Sequence, residues 1–113
     1  GFLRAFVSNK ADAAVQPLCR RYYNGLFDYA VGERTGIRRK PDPDSVQEVL
    51  RRLQVEAADA VYIGDSEVDI QTAKNAGLDS IIVTWGFRDR DYLESQGGRR
   101  FVDRPEEIEQ IIL

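Results

Sequence analysis

The sequence has 113 residues, of which 42% are hydrophobic and 31% are charged, and its formal net charge is -3. This composition predicts a single folded domain over residues 1–113 and excludes disordered and fibrous classes. A mildly acidic chain has no general attraction for the phosphates of nucleic acid or for anionic lipid, so we expect neither a nucleic acid nor a membrane as partner.

Short apolar runs alternate with stretches of helical periodicity along the chain. The predicted strands are 2–8, 27–32, 60–64 and 80–85, with a further short one at 100–103. The predicted helices are 11–26, 44–55, 67–76, 89–96 and 105–113, with Gly77 as a C-cap. Strands alternating with helices predict an α/β fold whose mostly parallel sheet is covered by helices on both faces.

Polar residues follow or precede the predicted elements at three places where such sheets bind ligands, beyond the carboxyl ends of the strands. Ser8 and Asn9 follow the first strand, Lys40 precedes the helix 44–55, and Asp65 follows the strand 60–64.

Helix capping explains part of this pattern. Ser8 and Asn9 are both residue types that cap a following helix, and Asp42 is a candidate N-cap with Pro43 in the first helical position. Capping leaves Lys40 unexplained, whereas an ammonium group aimed at a site would balance the charge of a phosphate. In the same way, the hydroxyl of Ser8 at a helix N-terminus is suited to hold a phosphoryl oxygen.

The stretch "GDSEVD" allows the same two interpretations. Ser66 and Asp69 have the spacing of a capping box. That role does not include Asp65, and a carboxylate at the tip of a buried strand suits Mg²⁺, which prefers oxygen ligands and keeps several waters. Asp69, one helical turn further on, would then align Lys40 or the waters of the metal.

Other residues are expected to have ordinary structural roles. Arg38 and Arg39 extend a basic run that is typical of a solvated surface. Trp85, Gly86 and Phe87 could form an aromatic loop over the site, but packing in the core or at its rim is the more expected use of Trp85 and Phe87.

The residue inventory restricts the chemistry. The chain has no histidine, which excludes Ser-His-Asp and Cys-His catalysis and histidine metal sites. The lone Cys19 cannot form an internal disulfide, and this fits a reducing, cytoplasmic setting. No apolar run approaches the roughly 20 residues that span a bilayer.

With Ser8 in "FVSNK", Lys40 in "KPDP", and Asp65 and Asp69 in "GDSEVD", the sequence resembles the haloacid dehalogenase (HAD) superfamily of phosphohydrolases in three of its four motifs. Residues 80–108 are similar to the tail of the phosphoglycolate phosphatase-like members. The resemblance spans essentially the whole chain, and the ordered set of motifs is far more specific than any one of them.

The resemblance implies a three-layer, Rossmann-like α/β/α core and a set of roles. Ser8 and Asn9 would bind the phosphoryl group, Lys40 would stabilise its charge, and Asp65 would ligate Mg²⁺ with support from Asp69. The implied reaction is Mg²⁺-dependent hydrolysis of a small phosphate monoester, such as phosphoglycolate, through an aspartyl-phosphate.

The family's first motif, an Asp-x-Asp-Gly-Thr stretch that supplies the nucleophile, does not occur in these residues. We therefore expect a C-terminal portion of a longer enzyme that begins at the family's second strand and is inactive alone. A phosphomutase or pyrophosphatase of the same superfamily is an alternative, as is a phosphate-binding or regulatory module without turnover. A phospho-accepting receiver domain fits less well, because it requires an acidic pair near its start.

The resemblance also bears on partners. It places the missing nucleophile strand between the strands 2–8 and 60–64, so both are expected to present an unpaired edge. Exposed edges recruit other strands, so we expect self-association in addition to binding of a small phosphorylated metabolite.

Overall fold

The computed structural model describes residues 3–11, 13, 16–17, 28–33, 36–86 and 88–112. Most of the predicted helix 11–26, including Cys19, lies outside these residues. The chain divides into two compact units, Gly1–Glu56 and Ala57–Leu113. Within the described ranges, no helix combines the length and apolar character needed to cross a bilayer.

The first unit contains two parallel strands, β1 (Ala5–Ala11) and β2 (Tyr29–Glu33). Val7 pairs with Val31 and Ala11 pairs with Glu33, so residues 8–10 stand opposite a single residue of β2. This irregularity has the form of a bulge, in which extra residues on one strand bend it locally. The predicted end of the strand at residue 8 was wrong, because pairing resumes at Ala11 after the bulge.

A helix, α1 (Asp44–Leu53), follows in the same unit and buries the predicted apolar stripe, with Val46 and Val49 at its centre. Its N-cap is Pro43, one residue later than predicted. Asp42 still stabilises the helix start, because its Oδ1 accepts a 3.1 Å hydrogen bond from the backbone N–H of Asp44. The prediction that Asp42 is the N-cap was therefore wrong by one position, although the Asp42 side chain does accept a hydrogen bond at the start of the helix.

The second unit is built on three parallel strands in the order β3-β4-β5. They are β3 (Val61–Gly64), β4 (Asp79–Val83) and β5 (Phe101–Val102), and a turn of 3₁₀ helix at Ala57–Asp59 precedes them. The pairings of β1 with β2, β3 with β4 and β4 with β5 are parallel, as the alternation of apolar runs predicted.

Three helices accompany these strands: α2 (Glu67–Ala76), α3 (Arg90–Ser95) and α4 (Pro105–Ile112). Gly77 ends α2 with φ 77°, which confirms the predicted glycine C-cap. The apolar side chains form two buried clusters, one of Ile70, Ile82 and Leu93 and the other of Ile81, Val83 and Val102. The second unit thus has a core of its own.

Two surface features bear on the predictions. Among the described strands, β1 pairs only with β2 and β3 only with β4, so each has an edge without a strand neighbour. Ile63 on β3 is 44% exposed, although the apolar run predicted burial. Trp85 is 51% exposed, so a core role for this residue was wrong, and Phe87 lies outside the described residues.

Candidate active site

The predicted site residues fall into both units. Ser8, Asn9 and Lys40 belong to the first unit, and Asp65 and Asp69 belong to the second. The structure brings Asp65 and Asp69 together. That all of them meet at one cleft remains a prediction.

Ser8 lies within β1, in the bulge, and not after the strand as the sequence suggested. Its side chain is half-buried. A bulge re-aims the side chains next to it, and bulges are common beside binding sites. Helix capping by Ser8 and Asn9 was wrong, because both are strand residues here, and the side chain of Asn9 lies outside the described part of the chain.

Lys40 is half-buried and lies in the turn before α1, and a neighbouring arginine holds that turn. Nε of Arg38 lies 3.0 Å from Oδ2 of Asp44 and 3.2 Å from Oδ2 of Asp42. The backbone N–H of Arg38 donates a 3.1 Å hydrogen bond to the same oxygen of Asp44. These contacts join the residue two positions before Lys40 to residues two and four positions after it.

The ion pair changes the acidity of both partners. Hydrogen bonding from the Arg38 side chain lowers the pKa of Asp44, and the same bond, with the charge of Asp42, raises the pKa of Arg38. The sequence analysis treated Arg38 as a solvated charge. Its side chain is 77% exposed, yet it forms these specific contacts.

In the second unit, the buried carboxylate of Asp69 accepts hydrogen bonds on both oxygens. Oδ1 accepts from the hydroxyl of Tyr62 at 3.0 Å. Oδ2 accepts from the backbone N–H of Asp65 at 3.0 Å, and from the backbone N–H and the hydroxyl of Ser66 at 3.3 and 3.1 Å. Asp69 and Ser66 thus form the predicted capping box, and Asp69 fixes the backbone of the turn that carries Asp65.

Tyr62 is kept in its neutral form by this environment. Burial raises the pKa of its hydroxyl well above the usual range, and the negative charge of Asp69 adds to the effect. At neutral pH the hydroxyl is therefore a hydrogen-bond donor to Asp69. The interaction is charge-assisted, because the acceptor is ionised.

The Asp65 carboxylate is in a different situation. It is half-buried at the end of β3, and no described residue forms a hydrogen bond or ion pair with it. Two glycines make room for the carboxylates. A Cβ atom on Gly64 would overlap with the side chain of Asp69, and a Cβ atom on Gly86 would lie 2.5 Å from Oδ2 of Asp65.

The donor set in the second unit suits Mg²⁺ in kind but is incomplete. Asp65 offers an oxygen ligand without a competing partner, which is what a hard cation needs, whereas Asp69 is fully engaged by neutral donors. Across the described ranges, no group of three or more Asp, Glu, His or Cys side chains is arranged to hold a metal ion. Asp65 can therefore serve as one ligand of a site that takes its others elsewhere.

Sequence reasoning missed Tyr62 and Arg88, and it considered Gly86 only as part of an aromatic loop over the site. A hydroxyl within an otherwise apolar strand is a signal for Tyr62, since a buried tyrosine usually has a hydrogen-bond partner. Nothing in the sequence links Gly86 or Arg88 to the turn at Asp65, because the link arises from tertiary packing.

Comparison with known proteins agrees with this arrangement. The model of the haloacid dehalogenase-like hydrolase family matches residues 4–83. A phosphoglycolate phosphatase of Colwellia psychrerythraea is 35% identical over 88 residues, which are 77% of this chain and 39% of that protein. One from Rhodobacter capsulatus is 48% identical over 67 residues, which are 57% of this chain and 30% of that protein.

The crystal structure of a candidate phosphoglycolate phosphatase from Lactobacillus delbrueckii subsp. bulgaricus is 50% identical. It superposes with a TM-score of 0.94 and covers 96% of this chain and 46% of that one. Parallel strands joined by helices, with an acidic turn after β3, define a Rossmann-like α/β class of protein. Within that class, the chain belongs to the haloacid dehalogenase-like hydrolase family. It spans between 30% and 55% of the length of the first three curated relatives named as phosphoglycolate phosphatases.

Proposed function

We propose that this chain carries the phosphate-binding and metal-binding motifs of a Mg²⁺-dependent phosphatase. The substrate is a small phosphate monoester, and phosphoglycolate is the best candidate because it is the substrate named for the relatives. The nucleophile is an aspartate in an Asp-x-Asp-Gly-Thr stretch outside these 113 residues.

The observation that carries the proposal is the difference between the two carboxylates of "GDSEVD". Asp69 is buried and accepts four hydrogen bonds, so its charge is used within the protein. Asp65 is fixed through its backbone by Asp69, yet its own side chain accepts no hydrogen bond from the described residues. A carboxylate that is held in place but not neutralised is a suitable cation ligand.

The residues of the first unit supply the phosphate side of the proposal. Ser8 donates its hydroxyl to a phosphoryl oxygen, with Asn9 as its neighbour in that role. Lys40 places an ammonium where negative charge develops during transfer, and the Arg38–Asp44 contact keeps its loop in one conformation. Mg²⁺ bound through Asp65 would add charge stabilisation at the phosphoryl oxygens.

The test uses the protein extended through its upstream reading frame, with 2-phosphoglycolate as the substrate. Asp65→Asn keeps the size of the side chain and removes its charge, so kcat/KM should fall by at least about 100-fold. The matched control is Asp79→Asn, an exposed carboxylate in the same unit, which should leave the rate unchanged. Equal rates in the wild type and Asp65→Asn would refute the proposal.

A second candidate function is a phosphate-binding or regulatory module without turnover. If it is correct, the upstream frame has no such stretch, and inorganic phosphate binds the chain in a manner that depends on Lys40. A phosphomutase of the same family is distinguished by transfer of the phosphoryl group to a sugar phosphate in place of water.

A further inference from the structure

The loop after β4 approaches the Asp65 side chain more closely than any residue other than glycine would permit. A Cβ atom on Gly86 would lie 2.5 Å from Oδ2, 2.7 Å from Cβ and 2.9 Å from Cγ of Asp65. Real Cβ atoms do not approach other heavy atoms so closely, so a side chain at this position would displace the carboxylate or the loop. The φ angle of Gly86 is not in the left-handed region that favours glycine. The need for glycine here therefore comes from the close contact with Asp65.

The loop is fixed on both sides of Gly86. On one side, the backbone N–H of Thr84 donates a 3.0 Å hydrogen bond to the carbonyl of Val102, and its hydroxyl donates one of 2.6 Å to Oδ1 of Asp103. On the other side, Nη2 of Arg88 lies 3.0 Å from Oε1 of Glu67, the first residue of α2. The loop therefore cannot move away from Asp65 without breaking one of these anchors.

The Arg88 anchor is attached to the turn that carries Asp65. Glu67 follows Asp65 by two residues, and its second oxygen, Oε2, is buried without a hydrogen-bond partner among the described residues. The guanidinium of Arg88 also lies 6.0 Å from the ring centroid of Tyr92, which limits its freedom. Loss of Arg88 would thus release the loop and leave Glu67 without its cation.

We propose that Gly86 is a positioning residue for Asp65: the anchored loop packs the Gly86 backbone against the carboxylate and sets the direction in which its oxygens face a bound cation. The inference rests on the proposed role of Asp65 as a metal ligand. It adds that the orientation of Asp65 is set from two sides, through Asp69 at its backbone and through Gly86 at its carboxylate. Residues that orient a metal ligand typically change metal affinity 10- to 100-fold when they are altered.

The test measures Mn²⁺ binding by paramagnetic broadening of amide signals in the ¹⁵N-labelled protein extended through its upstream reading frame, with Mn²⁺ as the probe for the cation. In the wild type, broadening should centre on the amides around Asp65 and disappear in Asp65→Asn. Gly86→Ala should weaken Mn²⁺ binding by at least about tenfold. A second readout without metal is the ¹³Cγ shift of Asp65, which should change in Gly86→Ala.

Gly98→Ala is the matched control, because a Cβ atom there would lie 2.9 Å from Cζ of Phe101 and 3.0 Å from the carbonyl oxygen of Leu93, in the core and away from Asp65. It should lower the stability of the chain while Mn²⁺ affinity and the Asp65 ¹³Cγ shift stay as in the wild type. If Gly86→Ala does not fold, the Arg88→Ala variant is measured in its place. It should lose Mn²⁺ affinity severalfold, and Arg88→Lys should recover it.

The outcomes separate the inference from the function on which it rests. If no Mn²⁺ effect in the wild type depends on Asp65, the proposed metal role is refuted. If the wild type binds Mn²⁺ through Asp65 but a folded Gly86→Ala variant binds it equally well with an unchanged ¹³Cγ shift, the positioning role alone is refuted. Equal weakening of Mn²⁺ binding in Gly98→Ala and Gly86→Ala would also overturn it, because the effect would then come from general destabilisation.

Discussion

The hydroxyl of Tyr62 donates a 3.0 Å hydrogen bond to Oδ1 of Asp69, joining the middle of β3 to the first turn of α2. The other oxygen of Asp69 accepts from the backbone that leads from β3 into the helix. One buried carboxylate therefore connects the strand, the turn and the helix.

Replacing Tyr62 with Phe should destabilise the chain by about 1–2 kcal/mol, because a charge-assisted hydrogen bond is lost and Oδ1 of the buried Asp69 loses a donor. Urea unfolding followed by circular dichroism measures the change. Tyr92→Phe is the control, since Tyr92 is 43% exposed and its ring contact with Arg88 survives the substitution. A Tyr62→Phe variant as stable as Tyr92→Phe would contradict the role of the hydroxyl.

The raised pKa of Tyr62 makes stability depend on alkaline pH. The folded state holds the proton above the pH at which the unfolded chain releases it, near 10. This contribution to stability is therefore complete below pH 10 and is lost as the pH rises further. The stability advantage of the wild type over Tyr62→Phe should shrink as the pH rises from about 10 to about 11. A constant difference in urea midpoints over that range would show that Tyr62 ionises alike in both states.

Asp69→Asn should destabilise the second unit by about 2–3 kcal/mol. The amide is nearly isosteric, but it carries no charge and can accept on only one of its two polar atoms, so either the backbone donors at Asp65 and Ser66 or the hydroxyl of Tyr62 lose their acceptor. Asp79→Asn serves as the control, because this exposed carboxylate has no hydrogen bond to described residues. Similar unfolding free energies for the two variants would exclude a structural role for Asp69.

The contact between Arg38 and Asp44 should be detectable when Asp44 is titrated at acidic pH. The fold lowers the pKa of Asp44, so its contribution to stability is present above the unfolded value and is lost as the pH falls through the folded value. The backbone amide of Arg38, which donates to Oδ2 of Asp44, should shift with a midpoint below the ordinary value of about 3.9. The shift should disappear in Asp44→Asn. A midpoint at the ordinary value would mean that the loop of Lys40 is not held by this pair in solution.

The open edge of β3 should cause the purified chain to self-associate. Ile63 is 44% exposed on a strand that, among the described strands, pairs only with β4. A lysine there would oppose edge-to-edge pairing, so Ile63→Lys should shift the chain toward monomer in analytical ultracentrifugation. Ile111→Lys changes an apolar residue of α4 that is 38% exposed, and it should have no such effect. A wild-type chain that is monomeric at all concentrations would contradict the prediction.

The elements that the sequence predicted well are those whose signal is local. The helix over 67–76 was predicted with its bounds and its cap, because the box formed by Ser66 and Asp69 and the glycine at 77 are both signals of helix ends. The start of α4 at Pro105 was equally clear.

The errors arose where tertiary pairing decides. The first strand was predicted to end at Ser8, since polar residues usually end a strand, but parallel pairing with β2 resumes at Ala11. Trp85 was expected to pack in the core or at its rim, and its 51% exposure excludes the core. Hydrophobicity alone does not reveal whether a loop residue has a core to enter.

The candidate site was predicted in part. Asp65 was singled out as the carboxylate that capping does not explain, and the capping box indeed consists of Ser66 and Asp69, while the metal role of Asp65 stays a prediction. The glycine contacts could not be predicted, because the approach of Gly86 to Asp65 depends on how two loops far apart in sequence pack.

The contacts described around Asp65 come from residues between 62 and 88, inside a unit that has two apolar clusters of its own. The second unit therefore contains every contact described around Asp65, so substitutions confined to residues 57–112 can probe how that carboxylate is oriented while Ser8 and Lys40 stay unaltered.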